Sequence, residues 1–135
     1  MIVVTTEPLD IAAHEAAVAD PRAGAVVSFA GVVRDHDHGR SVTALTYEAH
    51  PTAEKILREV AAEIALDPDV YEIAVSHRYG PLGIGEVALA AAVSTAHRAA
   101  AFAACARLVD TVKQRLPIWK HQVFADGTDE WVNCP

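Results

Sequence analysis

Basic charge is in short supply in this chain. Its 11 lysines and arginines face 18 aspartates and glutamates, and the formal net charge is −7. General nucleic-acid binding needs a basic footprint, so no nucleic-acid partner is expected. Cysteine is scarcer still: Cys105 and Cys134 are the two present, and they form no CxxC pair. A disulfide framework or a structural zinc site is therefore not expected. No uninterrupted apolar run is long enough to span a bilayer. The N-terminus, MIVVTTEPLD, has neither a basic start nor a cleavage pattern. A soluble, cytoplasmic protein without a membrane partner is expected. Also missing are a P-loop, a GxGxxG stretch and a Ser-His-Asp order. Internal repeats, low-complexity tracts and linkers are absent too.

What is present is a chain with 52% apolar residues, enough for a hydrophobic core in a single domain over residues 1–135. Pro8 to Asp20 reads as a short helix with Asp10 as its N-cap and Pro21 beyond its end. GAVVSFAGVV, residues 24–33, is small and β-branched and reads as a buried strand. A polar loop from Arg34 to Arg40 leads to a strand over Val42 to Glu48. Pro51 suits a first helical turn. Ala53, Ile56, Leu57, Val60, Ala61 and Ile64 then form one helical stripe, stopped by Asp67-Pro68. Tyr71 to Tyr79 alternates as a strand does. Gly80 to Gly85 is a turn. Glu86 to Ser94 is a strand with Val87, Leu89, Ala91 and Val93 on one face. Ser94 or Thr95 can cap a long helix that Pro117 ends near Leu116. Ile118 to Phe124 reads as a last strand. Helices and strands alternate, yet Tyr71 to Ser94 has hairpin-like spacing, so the class is α+β with a partly antiparallel sheet.

Two lysines in KQRLPIWKH, residues 113–121, invite closer reading. A stripe of Phe102, Ala106, Val109, Val112 and Leu116 marks the apolar side of the long helix. Lys113 lies about 20° from Phe102 around the axis, so it is expected along the core-facing stripe. It either snorkels past the core or works as a partly desolvated lysine in a cleft. Lys120 lies in the following strand, where both ammonium groups can share one pocket, and Trp119 reads as a core or interface anchor. Arg34, at the end of its strand, and His97-Arg98, at the start of the long helix, suit an anion. Arg40 and Arg78 are further candidates for an anion, although they read mainly as structural. Asp35-His36-Asp37-His38 reads as a solvated loop rather than a metal site. Cys105 reads as an inert core thiol, and Cys134 as a mobile residue near the chain end.

Several ordered segments together resemble the large, catalytic subunit family of molybdopterin synthase. They are FAGVVR (29–34), LTYEAH (45–50), HRYGPLGIGE (77–86), VSTAHRAAAF (93–102), and VDTVKQRLPIWKH followed by DGTDEWV. The resemblance implies an α/β hammerhead-type fold with an additional antiparallel β subdomain. It implies a homodimer that docks a small ubiquitin-like sulfur-carrier subunit. The implied reaction converts cyclic pyranopterin monophosphate (precursor Z) into molybdopterin, a step of molybdenum cofactor biosynthesis. Sulfur for the dithiolene comes from the thiocarboxylated C-terminus of the small subunit, and no permanently bound cofactor or metal is implied.

By the same resemblance Lys113 and Lys120 are the catalytic lysines, Lys120 also contacting substrate. Arg34, His97 and Arg98 bind the pterin phosphate. Phe29 and Pro117 line the channel for the partner's tail. Two departures stand out. Gln122 takes a position where many members carry glutamate. The chain also ends at Pro135, where longer members continue with contacts across the dimer. Apart from the resemblance, the residues leave two other readings open: a non-catalytic anion-binding dimeric module, and a lyase that forms a Schiff base on Lys113.

Overall fold

The computed structural model describes residues 1–134, with side chains through Val132. In chain order the elements are β1 (Ile2–Thr5), α1 (Ile11–Ala17), β2 (Ala25–Val32), β3 (His36–Asp37), β4 (Arg40–Ala49), α2 (Ala53–Ala65), β5 (Val70–Arg78), β6 (Gly80–Leu82), β7 (Val87–Thr95), α3 (Arg98–Arg115), β8 (Ile118–Phe124) and β9 (Asp129–Cys134). The main sheet has the order β1-β5-β7-β2; β1 is parallel to β5, and the other pairings are antiparallel. The second sheet is antiparallel, ordered β3-β4-β8-β9, with β6 also paired to β4. This is the expected α+β class, a hammerhead-type fold with an added antiparallel β subdomain.

Strand β7 is the centre of the core. The sequence pattern assigns one buried face to it, but every residue from Ala88 to Thr95 is buried. The reason is topological: β7 lies between β5 and β2, and helices cover both faces of the sheet. Leu89, Ala91 and Val93 join Leu57, Val60, Leu108 and Val112 of α2 and α3. On the opposite face Ala92 and Ala74 pack with Val18, just beyond α1. Each fully buried Leu or Val there contributes roughly 1.5–3 kcal/mol of burial free energy.

Helix α2 buries Ala53, Leu57, Val60, Ala61 and Ile64, five of the six residues in its expected stripe; Ile56 is half-buried. Helix α1 is shorter than expected, although Asp10 is its N-cap and accepts from the Ala13 amide at 3.3 Å. Helix α3 is not capped by Ser94 or Thr95. Both belong to β7, whose pairing with β2 and β5 runs on to Thr95. His97 is the N-cap residue and makes no side-chain cap bond.

Strand β2 is not a buried strand but an edge strand, alternately half-buried and exposed. Its register shifts between Gly31 and Val32. Beyond the shift the Val33 amide donates to the Glu86 carbonyl at 3.0 Å, and the Gly85 amide donates to Val33 at 2.8 Å. The chain thereby leaves the main sheet and delivers Arg34 to the second one. The expected loop of residues 34–40 contains a tight hairpin, with His38 at φ 50 and Gly39 at φ 76. Two successive residues with positive φ suit a two-residue hairpin turn. Residues 80–85, expected as a turn, contain β6.

Candidate active site

In the ladder between β4 and β8, Leu45 lies opposite Gln122 and Tyr47 opposite Lys120. Directly opposed residues share a face, so these four side chains project together. The exit of β2 closes the space above them. The result is a cleft of about 60 Å³ whose lining includes Val33, Arg34, Asp37, Tyr47, Lys120 and Gln122. Arg34 and Lys120, both expected at a substrate site, are brought together here.

Asp37 is a component that sequence reading missed. It belongs to the DHDH stretch expected to be solvated, yet its side chain is only 13% exposed. Arg34 donates to it through Nη2 at 3.2 Å. The Gln122 side-chain amide donates to Asp37 at 2.7 Å and to Glu130 at 2.8 Å. The Gln122 hydrogen bond holds the Asp37 carboxyl below the usual range, and the charges of Lys120, His38 and Arg34 reinforce it against partial burial. Gln122, itself 2% exposed, thus ties the β3 hairpin to β8 and β9.

Lys113 departs from expectation. It is exposed, and so is Phe102, at 62%. The buried stripe of α3 is Ala101, Ala104, Cys105, Leu108, Val109 and Val112. Lys113 and Phe102 do share a direction, but it lies about 100° from the centre of that stripe. The stripe read from sequence was therefore rotated onto the helix flank, because the alanines and Cys105 carry the packing. Ala106, placed in it, is exposed.

The charge of Lys113 nevertheless reaches one buried group. His77 is buried, at 1% exposure, and donates from Nδ1 to the Arg78 carbonyl at 2.8 Å. Burial lowers its pKa to about 4; the Arg78 carbonyl works against this, and the charge of Lys113 lowers it further. The His77 ring meets Tyr47 edge-on, with centroids 5.2 Å apart. Lys113 does not line the cleft that holds Lys120, so the two lysines do not share this pocket within one chain. The charge of Lys113 acts on His77, whose ring meets Tyr47 of the cleft wall. Sequence alternation marked His77 only as a strand residue, and nothing in it signalled this contact.

His97 and Arg98 are elsewhere. They begin α3, whereas Lys113 is in its last turn. Eighteen residues at 1.5 Å each put the helix ends about 27 Å apart. Phe29 is half-buried and packs against the main core, and Pro117 is half-buried at the start of β8; neither lines the cleft. Trp119 is not a core residue: it is 37% exposed, on the face of β8 opposite Lys120.

Arg40 stacks on Phe124 at 3.7 Å, and Arg78 is paired with Glu86, both as structural elements. Cys105 is buried and free, and burial raises its thiol pKa, as expected for a core thiol. The Cys134 thiol lies outside the described residues. Among the described residues, no three His, Cys, Asp or Glu side chains are grouped to hold a metal. No described helix is long and apolar enough to cross a membrane.

An α+β frame thus brings two cations, Arg34 and Lys120, into one cleft, an arrangement that suits an anionic small molecule. The family model described as MoaE protein matches residues 4–115, and the chain belongs to that family. It is 40% identical to the molybdopterin synthase catalytic subunit of Thermoplasma volcanium, over 92% of this chain and 89% of that one. Molybdopterin synthase catalytic subunit 1 of Mycobacterium tuberculosis is likewise 40% identical, over 96% and 88%. The crystal structure of molybdopterin synthase from Staphylococcus aureus superposes with a TM-score of 0.87 at 34% identity, covering 96% of this chain and 94% of that one. A complex of subunits 1 and 2 of molybdopterin-converting factor from Helicobacter pylori shares the fold, with a TM-score of 0.75 at 17% identity, covering 98% and 90%.

Proposed function

We propose that this chain is the catalytic subunit of a molybdopterin synthase, a sulfurtransferase that converts precursor Z into molybdopterin in the cytoplasm. The observation that carries the reading is the convergence of Arg34 and Lys120 in one cleft. A chain with net charge −7 otherwise disfavours an anion, and here two of its cations meet in one cleft.

Lys113 is the catalytic lysine. It polarises the thiocarboxylate and substrate oxygens and moves protons among them. Its exposed position suits a residue that meets an incoming tail. Lys120 and Arg34 hold the anionic groups of the pterin phosphate and stabilise developing negative charge. Sulfur arrives on the thiocarboxylated C-terminus of a small ubiquitin-like subunit, guided past Phe29 and Pro117. An external donor fits a chain whose described thiol, Cys105, is buried with a raised pKa.

His97 and Arg98 are too distant to reach the same small molecule within one chain. In the homodimer a second chain supplies them, so that each site draws on both copies. The exposed apolar side chains Val26, Val32 and Phe102 provide surface for such partners to cover.

A single-turnover assay tests the proposal. The chain, precursor Z and thiocarboxylated small subunit are mixed, and the dithiolene pterin is detected by mass. Product with the native chain and none with Lys113→Ala is the expected result. A well-formed complex without product would replace this reading with that of an anion-binding module.

A further inference from the structure

The cleft contains cations for an anion, but it is already furnished with one. Among the described residues lining it, Asp37 is the only carboxylate. It receives Arg34 at 3.2 Å and the Gln122 amide at 2.7 Å, and Lys120 and His38 add their charges. These are the contacts that a bound phosphate oxygen would take. The remaining space, about 60 Å³, is well below the ~300 Å³ at which small-molecule pockets begin. Something must move before a substrate enters.

The segment bearing Asp37 is suited to movement. Strand β3 has two residues and two register pairs, His36 with Ser41 and Asp37 with Arg40. Its turn places His38, a residue with a Cβ, at φ 50, a conformation that costs roughly 1 kcal/mol outside glycine. Arg34, by contrast, keeps its side chain 64% exposed and can follow an incoming anion.

We infer that Asp37 is a specificity-determining residue, an internal counter-anion that occupies the cationic cleft until an anionic group of the substrate displaces it. The inference rests on the reading of this cleft as the substrate's anion site. It sets a threshold for entry: only a ligand with enough negative charge to replace a carboxylate at Arg34 and Lys120 takes the site. Weakly charged or neutral pterins are turned away by the same contact.

The test is anion affinity in the complete chain, measured calorimetrically with inorganic pyrophosphate as probe. Asp37→Asn keeps an oxygen for the Gln122 amide and removes the charge. It is expected to tighten pyrophosphate binding about three- to tenfold. In turnover, KM for precursor Z falls by a similar factor. Asp35→Asn removes the same charge from the same segment, but Asp35 is 76% exposed, bonded to His36 and outside the cleft; it is expected to change neither quantity. Adding Lys120→Ala to Asp37→Asn is expected to abolish the gain.

Unchanged or weaker binding in a folded Asp37→Asn chain would overturn the inference, as would an equal gain in Asp35→Asn. If Asp37→Asn fails to fold, Asp37→Ser is measured instead against the same criteria. Tighter binding in a chain that makes no dithiolene would uphold the counter-anion and sink the synthase reading. A productive native chain with an unaltered Asp37→Asn affinity would do the reverse.

Discussion

Tyr47 and His77 meet edge to face, their rings inclined at 77° with centroids 5.2 Å apart. One comes from the second sheet and the other from the main sheet. This contact joins the two halves of the proposed site: Tyr47 lies opposite Lys120 in the β4–β8 ladder, and the charge of Lys113 is felt at His77.

Lys113 is exposed at the end of α3, so its removal leaves the core intact. Lys113→Ala is expected to melt within about 3 °C of the native chain. Single-turnover dithiolene formation is expected to fall by at least about a hundredfold, the scale of a lost proton-transfer or charge-stabilising group. Thermal melts and the turnover assay on one preparation check both halves. A large loss of stability would make the residue structural.

The proposed division of the site between the two ends of α3, completed across a homodimer, predicts complementation. Lys113→Ala and Arg98→Ala chains are each expected to be nearly inactive as homodimers. Unfolded together and refolded as mixed dimers, they are expected to recover up to about a quarter of native activity, because half of the dimers are mixed and each of these rebuilds one complete site. Size-matched native mixtures provide the scale. No recovery in verified mixed dimers would place Lys113 and Arg98 in one chain's function or in separate ones.

His77 makes stability depend on pH. Its pKa is about 4 in the folded chain and close to 6.5 when unfolded. Between those values the unfolded chain binds a proton that the folded chain refuses. Stability present above pH 6.5 is therefore lost as pH falls towards 4, by up to about 3 kcal/mol. Below pH 4 both states are protonated and the difference stops growing. Chemical denaturation at pH 7 and pH 4.5 is expected to show a smaller gap in His77→Gln than in the native chain. Equal gaps would remove His77 as the cause.

Gln122 donates to two carboxylates, Asp37 and Glu130, from one buried amide. Gln122→Glu replaces two donors by a third negative group and is expected to cost about 2–4 kcal/mol near neutral pH. Part of that loss should return as pH is lowered towards 5 and the carboxylates share protons. Glu130→Gln in the same chain should restore part of it at neutral pH. Denaturation midpoints of the single and double variants decide.

Much of this architecture was legible in the chain because periodicity reports burial. Ala53, Leu57, Val60, Ala61 and Ile64 announced α2, and Asp10 its own cap. Helix α3 was legible in extent but not in rotation. Its packing face uses Ala101, Ala104 and Cys105, small residues that contrast weakly with their neighbours, and Phe102 drew the stripe onto the flank. Arg34 and Lys120 were identified as cations with a purpose, yet their meeting depends on a bulge after Gly31 and on a ladder between distant strands. Asp37 was invisible for the same reason. Its partner Gln122 is 85 positions away, and no local pattern separates a solvated aspartate from one folded into a cleft.

The ladder joining residues 42–49 to residues 118–124 also governs when the site comes into being. It closes a long loop, and such closures are slow relative to helices and local hairpins. On the ribosome the main sheet and α2 are fully synthesised before β8 emerges. The proposed site can therefore be completed only after the rest of the core has been synthesised, and a chain truncated just after α3 would carry most of the core but none of the β8 side of the cleft.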